Sequence, residues 1–527
     1  MKRFLSLLLC VLMVLSLVAC GGTKEEAKTD APAAEAPKAD APAAEAPAAA
    51  PAEERTVVVR CNNVFTTMNP FDTVAYADTY VFTHVYETLY VGANDGSLVP
   101  CLAKSYEVSE DGLTYTFQLE EGVKYHNGND FTADDVVFTY TFAKDFKARA
   151  TYYNNVESVT ALDDYTVEFK LAKIDPMFVL YTGGMPILDE DWVKENDGQI
   201  NNKCNGTGPY KFVSIDPAVH AFVTADENYR KGAADIKNVE FRFSGDNSSS
   251  VIAFEAGELD FMEIPAEMID SIESSGLYNS AFVTPLHTVI IALNNEVKPL
   301  DDQRVRQALN YAIDREAVIE IAYEGRGIPA RIHARENVFG VDFSDAIEYD
   351  YNPEKAKELL AEAGYPDGIN FTEMGIHMDI IAGGYHEKVA QVFQQNLMDI
   401  GCSIELVATE TPDEKAVAGD YVILNEGTGN KLDFAYNRRH YTTDGSNNWH
   451  NMSVPEIDEL FDRGDVETDP EVRKEIYREA IARIIEYCPN IPVFHRQSLY
   501  AWSKDINATV YDDAGRPFFV YEWTWAD

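Results

Sequence analysis

Hydrophobic and polar positions along this 527-residue chain follow two periods, and the switching between them predicts a mixed α/β protein. Residues 56–60 are a β-branched run suited to a buried strand, and 80–90 read as a helix ending near Gly92. Alternation returns at 105–109 and 114–119, where Tyr115, Phe117 and Leu119 share one face and Asp111-Gly112 supplies the hairpin turn. After a second turn at Asn127-Gly128, Thr132 caps a helix through Phe138. Farther along the helical period dominates. Val305, Ala308, Leu309, Ala312 and Ile313 make one apolar stripe within 302–323, where Arg304 and Arg306 are expected to pair with nearby carboxylates. Asn352, Pro353 and Gly364 bracket a helix whose inner face is Ala356, Leu359, Leu360 and Ala363. Val389, Val392, Phe393, Leu397 and Ile400 define another before Gly401. Ser453 with Glu456 reads as a capping box, Asp469-Pro470 opens a helix to Tyr487, and a short strand at 491–494 precedes an aromatic-rich stretch at 518–525. Gly206 and Gly208 are read as positive-φ residues of a tight turn; with no Lys and no following helix, the segment is not a phosphate loop.

The first residues follow neither period. Lys2 and Arg3 precede an apolar run over 4–19, the layout of a secretory signal, so 1–19 are assigned as a signal peptide. Leu17-Val18-Ala19-Cys20-Gly21 resembles the lipobox of bacterial lipoproteins, which implies that Cys20 is lipidated and anchors the protein to a membrane. Residues 20–55 are dominated by Ala, Pro and charge, with a ten-residue unit from Lys28 nearly repeated from Lys38; they read as a solvated tether in which the prolines block helix.

Composition then narrows the function. With 46% hydrophobic residues the chain can bury a large core, while 43 Lys+Arg against 88 Asp+Glu give a formal charge of -45. That balance cannot neutralise phosphates along a groove, so nucleic acid is excluded as a partner. Cys61, Cys101, Cys204, Cys402 and Cys488 show no CxxC spacing, and His377 and His386 are too far apart to share a helical face, so no metal site is expected. An exported protein could close one or two disulfides from these five and leave at least one thiol over. There is no GxSxG, no HExxH and no GxGxxG after a strand, so the chain is expected to be no enzyme and to need no cofactor.

Several segments carry a resemblance. Ser109-Glu110-Asp111-Gly112-Leu113-Thr114-Tyr115, Glu121-Gly122-Val123-Lys124-Tyr125-His126-Asn127-Gly128 and Thr132-Ala133-Asp134-Asp135-Val136 resemble the signature stretch of the extracellular solute-binding proteins of family 5, the peptide and nickel type receptors of ABC importers. Gly206-Thr207-Gly208-Pro209-Tyr210, Glu255-Ala256-Gly257-Glu258-Leu259-Asp260 and Asp302-Gln303-Arg304-Val305-Arg306 continue the likeness in order. The resemblance implies a two-lobed, periplasmic-binding-protein-like α/β fold of class II, with an extra subdomain in the first lobe and a ligand cleft between lobes. Lobe I would comprise 56–92, 206–284 and 490–527, the extra subdomain 93–205, and lobe II 285–489.

The same resemblance implies a monomeric receptor that captures oligopeptides or dipeptides and delivers them to the transmembrane subunits of an ABC permease. Nickel chelates, haem and oligosaccharides are the alternative solutes, and a surface hydrolase is the alternative from another class. In peptide-binding members an Asp in a Trp-rich, Asp-Pro-containing segment holds the peptide's amino terminus. The matching segment here, 422–451, has no Asp-Pro and no Gly-Trp. Asp433 is the candidate ammonium anchor, Arg438 and Arg439 offer forks for a carboxylate, and Tyr436, Asp444 and Trp449 stand beside them. Thr66, Asn69, Tyr76 and Tyr80 are placed on the first lobe's side of the cleft.

Overall fold

The β-branched run folds as the strand Thr56–Cys61, parallel to both of its neighbours in a seven-stranded sheet. The order across that sheet is Tyr278–Val283, Ser498–Ser503, Phe261–Ile264, Thr56–Cys61, Asn238–Phe243, His220–Ala225 and Tyr210–Asp216. A second sheet, of six strands, runs Gly327–Pro329, Asn490–Arg496, His287–Leu293, Ile423–Gly429, His377–Ile381 and Glu405–Thr409. A third, of four strands, pairs Ala103–Val108, Thr114–Leu119, Thr166–Leu171 and Val156–Asp163. The computed structural model describes residues 55–73, 75–93, 97–512 and 517–526, all within one compact unit. The signal segment, Cys20 and the tether up to Glu54 lie outside the described residues.

Each large sheet has its own core. Val57, Val59, Val239 and Phe241 are fully buried in the first, and Val289, Ile291, Leu293, Met378 and Phe393 in the second. The strand Asn490–Arg496 belongs to the second sheet, where it pairs with His287–Leu293, and the chain passes to the first sheet through Gln497. Two crossings between the large sheets lie side by side, one through Thr284-Pro285-Leu286 and one through Gln497. Val283 pairs with Ser498 on one side and Thr288 with His495 on the other. Two short connections running side by side in opposite directions make a hinge. Asp512 braces it, accepting from the Thr284 amide at 2.7 Å and from Arg335 at 3.0 Å.

Where local structure departs from the sequence pattern, the cause is visible. The helix expected over 80–90 is Tyr76–Val85; Tyr86 is extended, and Tyr90–Gly92 turns instead to pair with Leu98–Pro100. The Val85 carbonyl at the helix end accepts from Gly208 at 2.9 Å, so the Gly206–Gly208 turn seals it. Neither glycine has positive φ. They are needed for close approach, since a Cβ on Gly206 would stand 2.0 Å from the Val85 oxygen. The stripe over 302–323 is two helices, Gln303–Ala312 and Arg315–Tyr323, because Ile313 is extended and the Asp314 side chain accepts from Ala317 as a new cap. Arg304 pairs with Asp302, but Arg306 does not find a carboxylate: it is buried and donates to the carbonyls of Leu300, Tyr487 and Cys488. At Ser453 no capping box forms, since Pro455 occupies the first helical turn and leaves Val454 as the cap residue. Cys61, Cys101, Cys204, Cys402 and Cys488 are all free thiols, so none of the disulfides open to them closes.

Candidate functional site

Polar side chains gather in two places, a floor at the hinge and a distal wall in the segment after the strand Ile423–Gly429. The floor is formed where the hinge strands leave their sheets. Glu263, on the first-lobe strand Phe261–Ile264, accepts from the Ser498 hydroxyl at 2.6 Å and from the Asn62 amide at 3.2 Å. Opposite it Arg496, at the end of its strand, comes only to 3.8 Å of Glu263, beyond hydrogen-bond range, and its buried Nε has no partner. Tyr323, Tyr385 and Tyr500 lie close enough to bias its charge. Burial pulls the Arg496 guanidinium down, the Glu263 charge pulls it up, and the net shift is upward, so it is a permanent cation.

Two histidines complete the floor. His287 sits against Gly427, where a Cβ would come within 2.5 Å of the ring, and its buried Nδ1 has no partner. Burial, with Arg496 and His386 adding to it, lowers the His287 imidazole to about 3, so it is neutral near pH 7. His386 is lowered as well, first by burial, and its Nδ1 lies 2.8 Å from the Asn425 amide oxygen. The floor therefore gathers the Arg496 cation, the Glu263 carboxylate with Glu426 close behind Tyr385, neutral imidazoles and phenols.

The distal wall is the segment after Ile423–Gly429, and it contains most of the residues singled out from sequence. Both Asp433 oxygens accept from Arg473, at 2.7 and 2.9 Å, and one also accepts from the Ala435 amide at 2.9 Å. The carboxylate is thus engaged inside lobe II. Arg438 pairs with Asp462 at 2.8 Å, Asp465 at 3.1 Å and Asp444 at 3.5 Å. Arg439 donates to the Tyr436 hydroxyl at 2.7 Å and the Gly429 carbonyl at 2.9 Å, with its guanidinium 4.1 Å over the Tyr436 ring. The Tyr436 ring meets Tyr181 of the extra subdomain at 6.3 Å, and a Cβ on Gly92 would touch both Leu180 and Leu432. The lobes are therefore in contact far from the hinge, a closed arrangement. Trp449 packs 5.6 Å from His440, and its buried Nε1 has no partner.

On the first lobe Asn69 is buried and closes its own turn by accepting from the Phe71 amide at 3.0 Å. Thr66 is tied to Asp78, and Tyr80 is packed 5.0 Å from Phe518. Tyr76 opens the helix Tyr76–Val85, and its side chain lies outside the description. The structure thus brings Tyr436, Arg439 and Trp449 to one wall, but spends Asp433 and Arg438 on partners from later in the chain and Asn69 within its own turn. Arg496, His287 and Glu263 were not singled out by sequence reasoning. One signal was there to be read: the apolar strand beginning at Ile491 ends abruptly in His495-Arg496, a charge at the end of a buried strand.

Residues 97–449 match the bacterial extracellular solute-binding proteins, family 5 middle region, and the chain belongs to that family. It is 30% identical over 468 residues to haem-binding protein A of Haemophilus influenzae, covering 80% of this chain and 83% of that one. It is 31% identical over 371 residues to the glutathione-binding protein GsiB of Pectobacterium atrosepticum, covering 69% and 71%. Among solved structures, the ABC transporter substrate-binding protein CtaP of Listeria monocytogenes superposes with a TM-score of 0.81 at 24% identity, over 90% of this chain and 99% of that one. HbpA2 of Haemophilus parasuis gives 0.80 at 24% identity, over 90% and 100%. The fold is the two-lobed periplasmic-binding-protein architecture, and the protein is an extracellular solute-binding protein. Members of family 5 are extracytoplasmic transport receptors and not enzymes. No described helix is long and apolar enough to cross a membrane.

Proposed function

We propose that this receptor captures a peptide or a similar small polar solute between its lobes and delivers it to the permease of an ABC importer, working as a monomer tethered to the membrane through a lipidated Cys20. The observation that carries the solute class is the floor. A charged guanidinium with an unspent donor, a carboxylate with acceptor capacity left, neutral imidazoles and phenols can together hold a molecule that carries groups of both signs. A peptide is such a molecule. The names of relatives point the same way: a glutathione-binding protein, a haem-binding protein, and an oligopeptide-binding protein of Bacillus subtilis solved with a nonapeptide. Capture and closure would be the whole function, with the closed form read by the permease.

Thermal unfolding of the purified protein, scanned against glutathione, di- to octapeptides, haem, a nickel–histidine chelate and oligosaccharides, tests the reading. A solute that binds only the native state adds about 2.7 kcal/mol at a hundredfold excess over Kd, a shift of a degree or more. Peptides or glutathione are expected to give it. A shift with haem, chelate or sugar alone would replace the solute, and none at all would sink the peptide reading.

A further inference from the structure

We propose that Arg496 is the anchor for a singly charged carboxylate of the transported solute, at the hinge floor and not in the segment 422–451. The inference deepens the receptor reading and rests on it.

Lobe II supplies its own controls. Arg306 and Arg473 are buried there and Arg315 is half-buried, and all three spend their donors on the protein. Arg306 donates to three carbonyls, at 2.8 to 2.9 Å. Arg315 donates to the Pro492 and Tyr349 carbonyls at 2.9 and 3.2 Å and to Asn310. Arg473 makes a two-pronged pair with Asp433. Arg496 leaves Nε without a partner and keeps its nearest carboxylate at 3.8 Å. A guanidinium carries five donors in a planar fork matched to a carboxylate, and leaving such donors unmet away from water is costly. Arg496 is 31% exposed and touches the Tyr385 hydroxyl, yet its buried Nε is unmet and its nearest carboxylate stands off, which leaves part of the fork for a carboxylate from outside the protein.

The neighbours of Arg496 define what fits. Glu263 cannot swing over to close the 3.8 Å gap without giving up Ser498 and Asn62, which hold it on the first lobe. An incoming carboxylate would bridge the gap from the cation side, with the unpartnered Nδ1 of His287, whose ring is seated against Gly427, as a second donor. Glu263 also sets the limit on charge, since a phosphate or sulfate dianion would meet it at close range, whereas a single carboxylate with a nearby ammonium would not. Because Glu263 belongs to lobe I and Arg496 to lobe II, a solute engaging both would draw the lobes together beside the hinge.

The test compares the full-length wild type with Arg496→Met and Arg496→Lys in two measurements. The first is the unfolding temperature without solute. A guanidinium whose buried Nε is unmet adds little to the fold, so Arg496→Met is expected to leave that temperature unchanged or raise it; a drop would identify Arg496 as the structural partner of Glu263 and overturn the proposal. The second is affinity for glutathione and for Ala-Phe-Ala as the free acid and as the C-terminal amide. Wild type is expected to prefer acid over amide by roughly 10- to 100-fold, and Arg496→Met to lose that preference, with Arg496→Lys between. A preference kept in Arg496→Met would place the carboxylate elsewhere. If no probe binds wild type, the peptide reading has failed, and the first measurement still decides whether Arg496 is a held-back cation.

Discussion

The distal wall and the hinge floor are built from the same residue types, arginine, carboxylate, histidine and tyrosine, and they spend hydrogen bonds in opposite ways. On the wall Asp433 and Arg473 meet two-pronged at 2.7 and 2.9 Å, Arg438 has three carboxylates within reach, and Arg439 is shared among a phenol, a carbonyl and His440. On the floor Arg496 and Glu263 stop at 3.8 Å, and Nε of Arg496 and Nδ1 of His287 are unmet. A saturated buried network fixes one geometry and has little left to offer a solute, whereas unmet buried donors are tolerated only where something recovers their cost. Residue type alone therefore marks neither region; what separates them is whether the charged groups are saturated, since the unmet Trp449 Nε1 on the wall is neutral.

The largest expected effect lies on the wall. Arg473→Ala strands Asp433, whose side chain is 9% exposed, beside Phe434 and Tyr477, and should lower unfolding free energy by about 3–5 kcal/mol, read from denaturant melts. The folded fraction should bind solute with unchanged affinity. A small stability loss with abolished binding would break the contrast and return Asp433 to the role of ammonium anchor.

Behind the wall lies a smaller, pH-dependent effect. His333 and His450 flank Asn490 at 2.9 and 2.8 Å, and the His440 ring packs 4.7 Å from His333. Burial is the first cause that lowers all three; Arg306 adds to it at His450, which falls to about 3, and Arg439 adds to it at His333 and His440. An unfolded histidine titrates near 6.5, so between about 6.5 and 3 the unfolded chain binds the proton and the folded one does not. Stability is thus complete above about pH 6.5 and lost as pH falls toward 3, at up to about 1.4 kcal/mol per pH unit for each such group. His450→Gln should flatten that acid limb by one such increment and leave solute affinity at pH 7 alone. An unchanged slope would show that His450 is protonated in the folded state.

Much of the fold was legible because its signals are local. The Asp111-Gly112 hairpin, the Thr132 cap with Asp135, the Asn352-Pro353 start and the Asp469-Pro470 start are each written in two to four neighbouring residues, and the structure has them all. The floor was not legible, because Glu263, His287 and Arg496 are more than 200 positions apart at their extremes and meet only through strand pairing across the hinge. Asp433 and Arg438 drew notice for being charged in the right segment, yet their partners Arg473, Asp462 and Asp465 sit on later helices that sequence reasoning treated as packing. Gly206 shows the same limit: its need for close approach to Val85 is fixed by a contact 121 positions away along the chain, and the turn motif alone suggested a backbone angle it does not adopt.

The smallest effect is the sharpest probe of where the wall ends. Tyr436→Phe removes one acceptor of Arg439 but keeps the ring 4.1 Å beneath the guanidinium, and Arg439 retains the Gly429 carbonyl and His440. The loss is one hydrogen bond in a network with others left, about 1 kcal/mol of stability. The aromatic contact with Tyr181 across the lobes at 6.3 Å needs only the ring, so closure should survive. If the wall is scaffold, solute affinity should change by less than roughly threefold, an increment well under one hydrogen bond to a charged group. A tenfold loss at this position, with stability nearly intact, would mean that the Tyr436 hydroxyl reaches the solute, and the boundary between scaffold and site would then run through Arg439 itself.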